Sequence, residues 1–447
     1  MSSQNNDIPE DFKMTELGLL PKEWVVVKLG DIVNFTSKPR GLDISSCTEV
    51  PFIPMEAISS DGSGHFRYNI KPGRDITSGV YCERGDLLLA KITPCLENGK
   101  QCLLSIDDLP NSFAYTTTEV YPLRADQNVI DSRLLFYYFL YPPARRELAA
   151  KMEGTTGRQR LPKHVVRNMI LPLPPLPEQR AIVGVLSTIQ EAIETQDKII
   201  AAARELKKSL MRHLFTYGPV SVSEAEKVPL KETEIGPLPE HWEIKRISEV
   251  CQVKGSTISL PELIEQDTKD NTHAVVHGIK VSDMTLRGNE REISKANIEA
   301  RLPEQLAKKV SVPANSVIFP KRGAAIATNK KRLTTTWTAL DPNLIAVVPI
   351  KEVGSKYLFY WFLTIDISKL QSPGPTPQLN RKDVDPVLLP LPPQTEQQEI
   401  VRMVSAVDNK IESEENRKAA LQTLFKTMLH LLMTGKVRVK EMEAQVS

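Results

Sequence analysis

Residues 171–179 read LPLPPLPEQ and residues 389–397 read LPLPPQTEQ, an offset of 389 − 171 = 218. With 33 prolines in the chain, an echo confined to prolines would constrain little. This one extends in both directions. Downstream, Ile182, Val183, Ile193 and Glu194 recur as Ile400, Val401, Ile411 and Glu412, and Leu206, Leu210 and Leu214 fall on Leu424, Met428 and Leu432. Upstream, ELGLLPKEW ends at Trp24 and EIGPLPEHW at Trp242, again 218 apart. SRLLFYYFL (Ser132–Leu140) echoes SKYLFYWFL (Ser355–Leu363) at 355 − 132 = 223, so insertions differ between the fixed points. Solenoid repeats have periods of about 20 to 50 residues. A period this long means a duplicated domain, and any fold must therefore be built twice.

Each copy has two parts. The larger mixes short apolar runs with frequent Gly and Pro, which predicts a loop-rich mixed α/β domain. GDLLLAKI and NSVIFPKR read as buried strands running into a basic residue, and the two aromatic echoes read as buried helices. The smaller part is one long helix. Ile182, Leu186, Ile189, Ile193, Ile200, Ala203, Leu210 and Leu214 recur at three- and four-residue steps, as do Ile400, Val404, Val407, Ile411, Leu421, Phe425, Met428 and Leu432. About five heptads favour a coiled-coil seam, and a rod of that length is on the order of 55 Å. Neither helix hides its stripe alone, but the two can hide each other's. Counting heptads puts Gln196 and Glu414 at apolar positions of the seams. The proline run is a stiff extended strut because proline rejects helix and biases its predecessor towards extended backbone. Pro177 suits a helical first turn. The predicted organisation is a tail 1–15, a domain 16–177, a helix 178–217, a linker 218–233, a domain 234–395, a helix 396–434 and a tail 435–447.

Composition excludes more than it asserts. Charge is nearly balanced, 57 basic against 55 acidic residues, so any nucleic-acid surface must come from local clustering. No run of 18 apolar residues suggests a membrane span. The start, MSSQNNDIPEDFK, lacks the apolar core of a signal peptide. Cys47, Cys82, Cys95, Cys102 and Cys251 are odd in number and form no C-x-x-C, which predicts reduced thiols, a cytoplasmic setting and no structural zinc. There is no phosphate-binding G-x-x-x-x-G-K-[ST] loop. His273 and His277, four apart in HAVVH, could share a metal only on a helix, and their β-branched neighbours favour a strand. The chain reads as non-catalytic.

Two divergent domains, each followed by L-P-L-P-P-x-x-E-Q and a long amphipathic helix, resemble the specificity subunit of type I restriction–modification systems over nearly the whole chain. The resemblance implies two target recognition domains related by a pseudo-twofold and joined by two antiparallel helices. Each domain would read one half of a bipartite, asymmetric DNA site, and helix length would set the spacer. The implied partners are double-stranded DNA, two modification subunits carrying S-adenosylmethionine, and restriction subunits that use ATP and Mg. A coiled-coil adaptor, or a fragment of a fused restriction–modification enzyme, would need to lack or to add chemistry respectively.

Candidate DNA contacts follow from basic and amide residues at comparable places in the two domains. In the first they are Lys91, Arg158, Gln159, Arg160 and Lys163; in the second, Lys321, Arg322, Lys330, Lys331, Arg332, Gln378, Asn380 and Arg381. Lys and Arg neutralise phosphates, and Arg, Gln and Asn make bidentate contacts to base edges. Arg204, Lys207, Lys208, Arg417 and Lys418 are candidates for docking the modification subunits from outward helix faces.

Overall fold

A computed structural model describes residues 9–105, 109–155, 157–350, 352–370 and 377–439. The chain divides into two compact units, residues 1–197 with 416–447, and residues 198–415. Each unit thus holds one mixed α/β domain, half of a central helix, Leu176–Tyr217, and half of a C-terminal helix, Gln394–Met433. Both helices begin two residues before the Glu-Gln expected to open them. The two prolines of each strut lie just outside, and Pro177 takes a first-turn position where its missing N–H is no loss.

In the first unit the strut is a strand. Ile170–Leu173 pairs antiparallel with Val25–Lys28, an edge pairing that tolerates Pro172. A four-stranded antiparallel sheet runs Val33–Phe35, Val120–Ala125, Asp86–Ala90, Gln101–Leu103. A second sheet runs Asn69–Lys71, Val50–Ile53, Phe113–Thr116, Val80–Glu83, with a parallel pairing at its centre. The helix Ser132–Leu140 is apolar all round and accordingly buried on nearly every side. It packs in one core with Trp24, Leu171, Leu173, Ile182, Leu186, Leu429, Leu432 and Met433. Trp24 is almost wholly buried, and truncating so large a core side chain costs about 3–5 kcal/mol.

The second unit repeats the plan. Glu243–Arg246 pairs with the strut strand Leu388–Leu391. A five-stranded sheet runs Cys251–Lys254, Leu344–Pro349, Val317–Pro320, Arg332–Thr334, Glu292–Ile293, and a three-stranded sheet runs Ile298–Leu302, Ala274–Ile279, Trp337–Leu340. The helix Ser355–Thr364 lies in a core with Trp242, Leu389, Ile400, Val404, Met211 and Leu214. The predicted buried strands are there: Asp86–Ala90 and Val317–Pro320 are buried at every residue. All five cysteines are free thiols. His277 sits on the strand Ala274–Ile279 and His273 just before it, so the pair shares no helix face.

The helix halves pack antiparallel within each unit. In the first, Ile182 and Leu186 share a core with Leu429, Leu432 and Met433, and Asp197 accepts from Lys418 at 2.5 Å. In the second, Arg204 pairs with Glu415 at 2.5 Å and Lys207 with Asp408 at 2.7 Å, numbers rising on one helix as they fall on the other. Gln196 and Glu414, at apolar heptad positions, are both buried.

Candidate nucleic-acid interface

The Glu-Gln that ends each proline strut ties helix to domain. Glu178 accepts from the indole N–H of Trp24 at 2.9 Å, and Glu396 accepts from that of Trp242 at 2.9 Å. Gln179 accepts from the Asp131 N–H and donates to the Val129 and Pro174 carbonyls. Gln397 repeats this with the Gly354 N–H and the Glu352 and Pro392 carbonyls. A Glu and a buried Gln thus fix the start of each helix against its domain, with Glu178 buried and Glu396 about a quarter exposed. The third partner differs: Arg438 donates to Glu178 at 2.6 and 2.8 Å, whereas His241 meets Glu396 at 2.7 Å.

Beyond the buried strand of each domain the backbone forms the same frame twice. The Leu161 N–H donates to the Lys91 carbonyl (2.7 Å) and the Thr93 N–H to the Gln159 carbonyl (3.1 Å). In the second unit the Leu379 N–H donates to the Lys321 carbonyl (2.8 Å) and the Gly323 N–H to the Pro377 carbonyl (2.9 Å). Ile92 is bridged to Arg160, and Arg322 to Gln378. On the other side the Lys91 N–H donates to the Glu119 carbonyl and the Lys321 N–H to the Asn343 carbonyl. The predicted equivalence of Lys91 with Lys321 is therefore a hydrogen-bonding equivalence. Burial lowers the pKa of both lysines. Lys91 lies over the Tyr121 ring, 4.8 Å from its centroid, and feels Glu119 and Arg160 as opposing charges.

Around these frames the other candidates sort by accessibility. Glu153–Thr155 and Arg158–Arg160 form an exposed hairpin. Arg158 and Arg160 stand in solvent on it, with Gln159 half-buried. Arg160 grips both oxygens of Glu119, at 2.6 and 3.1 Å. Lys163 lies over the Phe35 ring at 4.2 Å, and its pKa falls through burial. Arg322 is exposed, Lys330 and Gln378 are half-buried, and Gln378 donates to Asn380 at 3.0 Å. Asn380 precedes the short helix Arg381–Val384, on which Arg381 pairs with Asp385.

Two candidates are corrected. Lys331 is 1% exposed, and its ammonium donates to the Asn329 side chain and the Ile365 carbonyl, both at 2.6 Å. Arg332 turns its guanidinium onto the carbonyls of Asn289, Lys331 and Met284. Buried Lys331 offers nothing to a phosphate, and half-buried Arg332 spends three of its five N–H groups on carbonyls of its own unit. A basic run does not show which of its side chains turn inward; here Lys331 lies just before the strand Arg332–Thr334. The helix cations differ in exposure and pairing, and Arg204 stays exposed although it is paired. Lys207 faces inward onto Asp408 and the Tyr360 ring, while Arg204 and Lys418 are engaged by acids of the opposite helix. Lys208 and Arg417 remain exposed. Glu119 and Asn343 were missed from sequence; the only signal was their place immediately before a buried strand.

A family model described as "Type I restriction modification DNA specificity domain" matches residues 21–204 and again 239–423. The putative type I restriction enzyme MjaX specificity subunit of Methanocaldococcus jannaschii is 24% identical, over 96% of this chain and 97% of its own. The EcoAI specificity subunit of Escherichia coli is 33% identical over 179 residues, 40% of this chain and 29% of its own. Among solved structures, a chain from a study of the assembly and conformational transition of the type I R-M system superposes with a TM-score of 0.57 at 21% identity, covering 94% of this chain and 99% of that one. The S subunit from M. genitalium gives 0.55 at 14%, covering 92% and 96%. Both support the fold. With the family model matched once in each structural repeat and over most of the sequence, the chain belongs to the type I restriction–modification DNA specificity family and carries its domain twice.

Proposed function

We propose that the chain is the DNA-specificity subunit of a type I restriction–modification complex, reading one half of a bipartite, asymmetric site with each domain. The observation that carries this is the doubled frame: one backbone arrangement, occupied by Ile92, Glu119 and Arg160 in one unit and by Arg322, Asn343 and Gln378 in the other. A symmetric dimer reads a palindrome; two unlike heads in one chain have no such obligation. The chain contributes recognition and scaffold. Methyl transfer from S-adenosylmethionine belongs to two modification subunits, and ATP- and Mg-dependent translocation and cleavage to restriction subunits, in the cytoplasm. Among the described residues no helix is long and apolar enough to cross a membrane.

The modification subunits would dock on the helices through Lys208 and Arg417. In the second unit Lys208 and Arg212 rim a groove of about 700 Å³ floored by Met211, Phe215, Trp361 and Ile365. The helix length would fix the spacer between half-sites. Co-expression with the modification subunit, followed by methylation mapping, should return one bipartite, non-palindromic motif. A palindromic motif, or none, would overturn the reading. An adaptor without DNA chemistry would show no binding to duplex that falls with rising salt.

A further inference from the structure

We infer that three positions around the lysine common to both frames choose the bases of each half-site: Ile92, Glu119 and Arg160 in the first unit, Arg322, Asn343 and Gln378 in the second. This rests on the proposed function and adds which side chains read sequence.

The two units share one backbone frame. The frame bonds are the same three, between the same backbone atoms of Lys91, Thr93, Gln159, Leu161 and Glu119 as of Lys321, Gly323, Pro377, Leu379 and Asn343. Three separate segments meet there, at offsets of 321 − 91 = 230, 343 − 119 = 224 and 379 − 161 = 218, so the meeting survives insertions between them. Lys91 and Lys321 keep their type at the frame's inner corner, as Leu161 and Leu379 do at its far end. The three positions around each lysine differ in every case: isoleucine against arginine, glutamate against asparagine, arginine against glutamine. A constant cation on constant backbone suits a phosphate, which is the same at every base pair. Side chains that change on constant backbone suit base edges.

Geometry supports the pairing. A bridged residue pair flanked on both sides by hydrogen bonds brings its side chains close together, and both Ile92–Arg160 and Arg322–Gln378 are of that kind. Arg160 spends its Nε–H and one Nη2–H on Glu119. Of the five guanidinium N–H groups, the remaining edge of Nη1 and Nη2 still presents two donors side by side, the fork that matches guanine O6 and N7. Glu119 is thus a positioning residue that aims Arg160. In the second unit Arg322 is exposed and bridged to Gln378, with Asn343 on the neighbouring segment; each amide donates one of its two N–H groups within the unit, to Asn380 and to Asp341, and amides are the side chains that pair with adenine. The first half-site should therefore contain a guanine read by Arg160, and the second a guanine read by Arg322 beside adenine.

The test transplants one triad onto the other frame: Ile92→Arg, Glu119→Asn and Arg160→Gln together, co-expressed with the modification subunit, with methylated motifs mapped by single-molecule sequencing. The expected motif changes in one half and keeps the other half and the spacer. Alongside, Arg160→Ala in the assembled complex, titrated against duplexes substituted at each base pair, should lose roughly five- to 150-fold of discrimination at one G·C pair and little elsewhere. Glu119→Gln should weaken the same pair less, and Lys91→Gln should weaken all duplexes alike and lower the salt slope by about one. An unchanged motif from the transplant overturns the inference. So does an Arg160→Ala complex that keeps full discrimination, or one that loses all duplex binding, which would mark Arg160 as structural. If the triple variant fails to assemble, Arg160→Ala decides alone. A wild-type complex that methylates no bipartite sequence overturns the proposed function instead.

Discussion

The buried carboxylate at the head of the central helix offers the sharpest test of how the domains are joined to the helices. Glu178 is 7% exposed and accepts three charge-assisted or buried bonds, one from Trp24 and two from Arg438. Replacing it by alanine orphans an indole N–H inside the core, which costs about 1–3 kcal/mol. It also strips a carboxylate from a guanidinium that then keeps, among the described residues, Glu23. Breaking a fully buried pair costs about 3–5 kcal/mol, but Arg438 is about a fifth exposed, so about 1–2 kcal/mol is the better figure after screening. The sum for Glu178→Ala is about 3 kcal/mol. Glu178→Gln keeps an acceptor for Trp24 and should lose about half of that. Glu396→Ala should cost about 2 kcal/mol, because His241, its second partner, is half in solvent. Denaturant unfolding of the full chain, followed by near-ultraviolet circular dichroism with hydrogen exchange resolved over residues 18–30 and 236–248, would assign each loss to its unit. A Glu178→Ala loss below about 0.5 kcal/mol, or one equal to that of Glu178→Gln, would refute the account of Glu178 as the charge partner that holds Trp24 and Arg438.

Three further outcomes follow from the same contacts. Burial pushes the Lys331 ammonium down to about 8 from 10.5, so between those pH values the unfolded chain binds more protons than the folded one. Stability of the second unit should therefore rise from pH 8 to about 10.5, by an amount of order 2 kcal/mol, and the wild-type minus Lys331→Met difference in unfolding free energy should show it; a flat difference sinks the reasoning. Gln397→Leu leaves one N–H and two carbonyls of the strut and the helix-leading loop unsatisfied and should cost about 2–3 kcal/mol, visible as a lower denaturant midpoint. Lys208→Glu with Arg417→Glu should weaken capture of the modification subunit several-fold while leaving thermal stability within about 0.5 kcal/mol, whereas Lys207→Met, which removes a partner of buried Asp408, should lower stability; pull-down and melting curves separate the two.

Much of the architecture was written in periodicity and repetition. The 218-residue offset implied two copies, the apolar stripes implied two helices that need each other, and the runs LLLA and VIFP implied buried strands. These are properties of local spacing, and spacing is visible in one dimension. The Glu-Gln of the strut was visible as a repeat, but its reason was not: the indole of Trp24 lies 154 residues from Glu178, and only the folded chain brings them together. The same holds for the doubled backbone frame. Lys91 and Lys321 could be matched by their neighbours, yet Glu119 and Asn343 share neither type nor flanking motif, and their equivalence exists only as a backbone hydrogen bond. Tertiary structure also decided which cations face outward. Lys330, Lys331 and Arg332 are one basic run in sequence, but Lys331 turns inward, where its ammonium holds the Asn329 side chain and the distant carbonyl of Ile365. Sequence determined that the chain folds twice and where its helices lie; tertiary structure decided which charges are free to meet DNA, because burial and pairing depend on segments distant along the chain.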